Sequence, residues 1–159
     1  MNFDEVEYFL ANIDYKIISV AQINKNISIN TDFRLLYDGY TNETSSDRIK
    51  INTKLSWDEK EYTGEAEGIK TEKNTLMVAA LSTLDSIKKA IDLDCFIVED
   101  IQTAKVAGKD VMVAAITQMD HGRENVLIGS SIVTNNKIDS TIKATLNAIN
   151  RKICLYIKE

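Results

Sequence analysis

TGEAEGIKTEKNTLMVAALSTLDSI (residues 63–87) and IGSSIVTNNKIDSTIKATLNAINRK (residues 128–152) decide the fold, because the second repeats the pattern of the first. Gly64, Ala79 and Leu81 recur as Gly129, Ala144 and Leu146, an ungapped offset of 65 residues (64 to 129, 79 to 144, 81 to 146). Ile51/Ile116 and Glu59/Glu124 share that offset. Apolar character carries the match further, at Tyr62/Leu127, Met77/Ile142, Leu84/Ile149 and Ile91/Tyr156. A pattern that returns at one fixed spacing is the mark of a supersecondary unit used twice.

Working outward, residues 72–91 read as a helix. Met77, Ala80 or Leu81, Leu84, Ile87 and Ile91 fall three and four apart, an apolar stripe that can lie across a sheet. Thr71 is a candidate cap. Ala79, Ala80 and Ser82 are small enough to let the helix approach its neighbour closely. Upstream, RIKINTKLS (48–56) alternates Ile49, Ile51 and Leu55 with Lys50, Asn52 and Lys54, the period of a strand with one wet face. WDEK (57–60) turns the chain, and EYTGEAEG (61–68) returns as the hairpin partner. FRLLYDGY (33–40) reads as a first strand and TNETSSD (41–47) as a turn or exposed loop. The second unit follows the same order: a strand at 95–105, the AGKD turn at 107–110, a strongly apolar strand at 110–118, the DHGRE turn at 120–124, and a strand at 125–133. Asn136, with Asp139 three later, resembles a capping box opening a last helix with the stripe Ile138, Ile142, Leu146, Ile149, Ile153 and Tyr156. FRLLYDGYT matches FIVEDIQTA, with Phe33 and Phe96 offset by 63 (33 to 96).

The expected architecture is α+β. An N-terminal helix (FDEVEYFLANI, 3–13) and linker fill residues 1–28, with KIISVAQI (16–23) open between helix and strand. A duplicated β-β-β-α domain then occupies 29–159, with copies at about 29–91 and 94–159 related by a pseudo-twofold. Two small antiparallel sheets, each covered by one helix, must dock on each other or on a second subunit to hide both faces. The predicted state is a homodimer.

Composition excludes several functions. A net charge of −5 and scattered basic residues argue against a nucleic-acid surface. No apolar run approaches the ~18 residues of a membrane span. MNFDEVEYFL is acidic where a signal peptide is basic, so a cytoplasmic protein is expected. Cys95 and Cys154 lack metal or redox spacing and read as reduced core thiols. The single histidine, His121, sits in a turn, and Cys154 falls within a helical pattern. Glu59, Glu61, Glu65, Glu67, Glu99 and Asp100 suit the polar outside of a hairpin. Nothing calls for catalysis, a metal or a cofactor.

The arrangement resembles the C-terminal regulatory (allosteric, dimerisation) domain of 2-isopropylmalate and citramalate synthases. FRLLYDGY, RIKINTKL, KEYTGEAEG, MVAALSTLDSI, FIVEDIQT, AGKDV and IKATLNAINRK carry the likeness, which covers roughly residues 30–156. ATLNAINR (144–151) stands where that family has an Ala-x-Leu-x-Ala-Leu-Asn-Arg-like run. The resemblance implies a module that binds an amino acid such as leucine or isoleucine at a subunit interface. A catalytic barrel of ~250 residues does not fit within this sequence, so the resemblance implies a stand-alone relative. The family's ligand loops map onto 64–74 and 129–136, and Gly64, Gly68, Thr71, Gly129 and Asn136 are the ligand-binding candidates. This chain has Gly68 in place of a Gly-rich run ending in Gly-Pro, and SSIVTNN lacks the further glycine. The reading from another class is a structural or adaptor protein that binds other proteins and no small molecule.

Overall fold

The structure, a computed structural model, describes residues 34–153. The expected helix at 3–13, the open stretch 16–23, Phe33, Cys154 and Tyr156 lie outside the described residues. The elements run β1 (Leu36–Thr44), β2 (Arg48–Trp57), β3 (Lys60–Ile69), α1 (Glu72–Ile91), β4 (Phe96–Val106), β5 (Lys109–Asp120), β6 (Arg123–Ile132) and α2 (Lys137–Ile153). The strands form two three-stranded antiparallel sheets, β1-β2-β3 and β4-β5-β6, and the fold is α+β. Among the described residues no helix is long and apolar enough to cross a membrane.

Three strand reversals are two-residue turns with positive φ at both positions: Asp58–Glu59, Ala107–Gly108 and His121–Gly122. This mirror-image turn matches the right-handed twist of the strands it joins. The turn expected over 41–47 is shorter. β1 continues to Thr44, and Ser45 N donates to Arg48 O at 2.9 Å to close the reversal. TNET is polar, but β2 offers it a ladder from Asn52 to Ile49. An edge strand facing water needs no apolar alternation.

β2 keeps its expected alternation, with Ile49, Ile51, Thr53 and Leu55 buried. Helix α1 has the expected bounds, and the Thr71 hydroxyl caps it by accepting from Asn74 N. Its buried face differs from the expected stripe: Val78, Ala79, Ala80, Ser82, Thr83, Ser86 and Ile87 are buried, while Leu81 is 43% exposed. The cause is Gly64. A Cβ there would fall well under 3.0 Å from Ser82 O and Ser86 N, so helix backbone rests directly on the strand. Only small side chains fit in so thin a layer, and the bulkier Leu81 is displaced to the flank. The buried hydroxyls are satisfied, Ser82 Oγ by Thr53 Oγ1 at 2.6 Å and Ser86 Oγ by donating to Tyr62 O at 2.7 Å.

Helix α2 sits on β6 in the same way, with Gly129 pressed against Ala144 O and Ala148 N. The spacing, however, is 15 residues (129 to 144) against 18 in the first sheet (64 to 82). Leu81 and Leu146 are therefore not equivalent; Leu146 is buried. Irregularities in β1 and β4 place Gly39 opposite Lys54 and Asp100 opposite Ala115, a shift of 61 (39 to 100, 54 to 115). Ile51 thus plays the part of Met112 rather than Ile116, and Leu35 that of Phe96. The ungapped 65-residue offset holds from the third strand (64 to 129) to the helix starts, where the caps Thr71 and Asn136 are also 65 apart (71 to 136), and not in the two strands before. The β5–β6 hairpin is longer than β2–β3, and the loop before α2 (133–136) is longer than the one before α1 (70–71).

The helices lie side by side and run the same way. Lys137 Nζ, at the start of α2, is 3.4 Å from Glu72 Oε1 at the start of α1. Further along, Ile142 joins Val78, Ala79, Ile49 and Ile51 in one buried cluster. Helix α2 also holds the edge of the other sheet: Asn150 accepts from Leu35 N at 3.1 Å and donates to Leu35 O at 3.2 Å.

Candidate functional site

Three of the five candidate residues stand at helix starts, Gly68 and Thr71 at that of α1 and Asn136 at that of α2. Thr71, extended at φ −118°, puts its hydroxyl 3.0 Å from Asn74 N. Asn74 Nδ2 donates to Ile69 O at 2.7 Å, which ties the end of β3 to the first helical turn. A Cβ on Gly68 would lie 2.7 Å from Asn74 Nδ2 and 2.8 Å from Val78 Cγ2. At α2, Asn136 Oδ1 accepts from Asp139 N at 2.8 Å. The Lys137–Glu72 contact places this start beside the first. A helix start carries a positive dipole end and unbonded amides, the chemistry that receives a carboxylate. Each already carries an acid in its first turn, Glu72 and Asp139.

Gly64 and Gly129 lie apart from this end, in mid-strand. The space that each leaves is filled by helix backbone. One residue beyond each glycine, the strand amide is taken by a helix side chain: Glu65 N donates to Asp85 Oδ2 at 2.9 Å, and Ser130 N to Asn147 Oδ1 at 3.2 Å. Both glycines, with the residue that follows, form the seat of a helix.

Asp139 does not complete a capping box. Its carboxylate turns to Lys143 and Tyr37, and the sealed Oδ2 has Lys143 Nζ at 2.7 Å, out of line for a hydrogen bond, so the link is ionic. Lys143 also lies 5.7 Å above the Tyr37 ring. Burial, reinforced by the hydrogen bond to Asp139 and its charge, holds the Tyr37 phenol well above its ordinary value. The sequence gives no hint of this cluster, because Tyr37 and Asp139 come from different sheets' units, far apart in the chain.

The groups most often used in catalysis stand elsewhere. The His121 side chain is 96% exposed, with Nδ1 2.6 Å from Asp120 Oδ1. Burial, and then the charges of Asp120 and Asp94, push the Cys95 thiol up. Glu61 and Glu65 face Lys54 and Lys50 across the β2–β3 hairpin at 3.2 and 3.0 Å, and Glu67 faces Arg48 at 2.5 Å. Among the described residues, open hollows of about 300, 280 and 180 Å3 occur. The first two lie along β1 and β2 around Arg48 and Tyr40, and the third beside α1 between Leu81 and Phe96. None of the three includes a candidate glycine.

The geometry defines an α+β protein in which two helices, each seated on a glycine of its own sheet, start side by side. No protein-family model and no curated protein matches this sequence.

Proposed function

We propose that this chain is a non-catalytic regulatory module, binding a small amino-acid-like ligand and forming a homodimer in the cytoplasm, like the allosteric domain of 2-isopropylmalate synthases. Its framework is a duplicated β-β-β-α unit. The observation that carries this reading is the recurrence of one helix seat: Gly64 under Ser82, with Asp85 taking the next amide, and Gly129 under Ala144, with Asn147 taking the next amide. A seat of this kind used twice gives two equivalent helix starts, and Thr71 with Gly68 and Asn136 stand at those starts. A ligand carboxylate received there would displace the influence of Glu72.

Thermal denaturation with leucine, isoleucine, valine and the matching keto acids tests the proposal. A ligand at 100 times its dissociation constant adds about 2.7 kcal/mol of stability. A flat response across the panel overturns ligand binding.

The second reading is a structural or adaptor protein with no small-molecule ligand. It is favoured by the filling of the glycine spaces: helix backbone occupies those at Gly64 and Gly129, and Asn74 with Val78 that at Gly68. A glycine whose space is already taken admits no ligand against its backbone.

A further inference from the structure

The two halves of the fold differ in kind where α2 meets β1. The helix seats relate α1 to α2 by 62 residues (82 to 144, 85 to 147), and the irregularities in β1 and β4 relate Tyr37 to Val98 by 61 (37 to 98). By that count Asp139 takes the place of Met77, and Lys143 that of Leu81. Where α1 and β4 carry Met77, Leu81 and Val98, α2 and β1 carry a carboxylate, an ammonium and a phenol. Asp139 is 8% exposed, and its sealed Oδ2 lies 2.7 Å from Lys143 Nζ without a hydrogen bond. The Tyr37 hydroxyl donates to the same carboxylate. Packed apolar side chains of similar size hold such a junction as well as a buried ion pair or better, so stability does not account for the exchange. What the charges add is a condition. The junction holds while the lysine keeps its charge and the phenol its proton, and removing either partner strands a buried carboxylate.

We propose that Tyr37, Asp139 and Lys143 form a charge latch that holds β1 to α2 and, when slackened, bares the buried cluster between the helices. Tyr37 rests against that cluster, which joins Ile49 and Ile51 to Val78, Ala79 and Ile142. The strand is divided at the same place. Its ladder with β2 is interrupted between Tyr37 and Gly39, and Gly39 has a φ of +126° with nothing within 4 Å of an added Cβ. An interruption of this kind bends a strand and uncouples the two pieces, so the piece before it moves without carrying Tyr40–Thr44 along. That first piece is tied to α2 by Asn150, which bonds both Leu35 N and Leu35 O. β4 repeats the interruption, between Val98 and Asp100, without the charged trio.

Two amides read the latch, because α2 holds both through asparagine side chains: Leu35 N by Asn150 on the latch side, and Ser130 N by Asn147 at the glycine seat. The test is hydrogen exchange of these two amides by NMR on the full chain, in wild type, Lys143→Met, the double variant Lys143→Met with Asp139→Asn, and Tyr37→Phe. K143M keeps the side-chain stem and strands the carboxylate, so Leu35 is expected to exchange at least about tenfold faster while Ser130 is unchanged. Adding D139N removes the stranded charge and is expected to return Leu35 to within about threefold of wild type, a rescue that lost packing does not give. Y37F keeps the ring and takes only the donor from Asp139; it is expected to speed Leu35 by at least about threefold, and it decides the matter where K143M fails to fold. An unchanged Leu35 amide in K143M, or in Y37F where K143M is unfolded, overturns the latch. Equal acceleration at Leu35 and Ser130 also overturns it, since the helix is then loosening as a whole. So does a double variant as fast as K143M, which shows that no stranded charge drives the opening.

Discussion

Gly129→Ala tests the central packing claim, that helix α2 rests on strand backbone. The new Cβ would meet Ala144 O and Ala148 N well inside 3.0 Å, and both obstacles are helix backbone rather than a flexible side-chain tip. Nothing local can swing away, so the helix must lift by about 1 Å or the strand must bend; over-packing of this kind costs ~1–3 kcal/mol, and an immovable neighbour puts the cost at the upper end. Alanine recovers ~0.5–1 kcal/mol in a strand because the unfolded chain loses freedom. The net expectation is a loss of about 2 kcal/mol. With a urea slope of ~1.5 kcal/mol per molar, the midpoint falls by roughly 1.3 M. Gly108→Ala is the control. No atom lies within 4 Å of its added Cβ, and its φ of +73° makes the cost conformational, ~1 kcal/mol. A G129A midpoint within ~0.5 kcal/mol of wild type would refute the direct seat, since a helix with room beneath it would tolerate a methyl group.

Two further outcomes follow from the packing and the electrostatics. Ile142→Ala, in the fully buried cluster with Val78 and Ile51, is expected to cost ~2–4 kcal/mol, and Leu81→Ala, 43% exposed, less than about half of that in the same urea titration. Equal losses would return Leu81 to the core. The Tyr37 phenol holds its proton more tightly folded than unfolded, so its contribution to stability is full below the ordinary value of 10.0 and is lost as pH rises past that value. The wild-type minus Tyr37→Phe difference in ultraviolet absorbance is expected to titrate above the ordinary range, and closer to it in Asp139→Asn; an ordinary titration in wild type contradicts the contact with Asp139.

Much of the local structure was legible in the residues. The bounds of α1, its Thr71 cap, the Asn136 cap, the alternation in β2 and the turns at 107–110 and 120–124 depend on neighbours a few positions away. A short window therefore holds the information. The candidate site was legible only in part: Thr71, Gly68 and Asn136 do stand at helix starts, but the neighbouring of those starts depends on how two units pack.

What the sequence alone determined is that strands and helices alternate in this order, and that a glycine and small residues recur in both halves, because backbone preference and apolar period are local properties. What only the tertiary structure decided is which face each element buries. Helices pressed onto Gly64 and Gly129 leave room for serine, threonine and alanine, so close approach outranked hydrophobicity and moved Leu81 to the flank. The same holds for the sheets: Val126 and Ile128 are as apolar as Ile49 and Ile51, yet they face outward, because the glycine of each third strand fixes which side the helix takes.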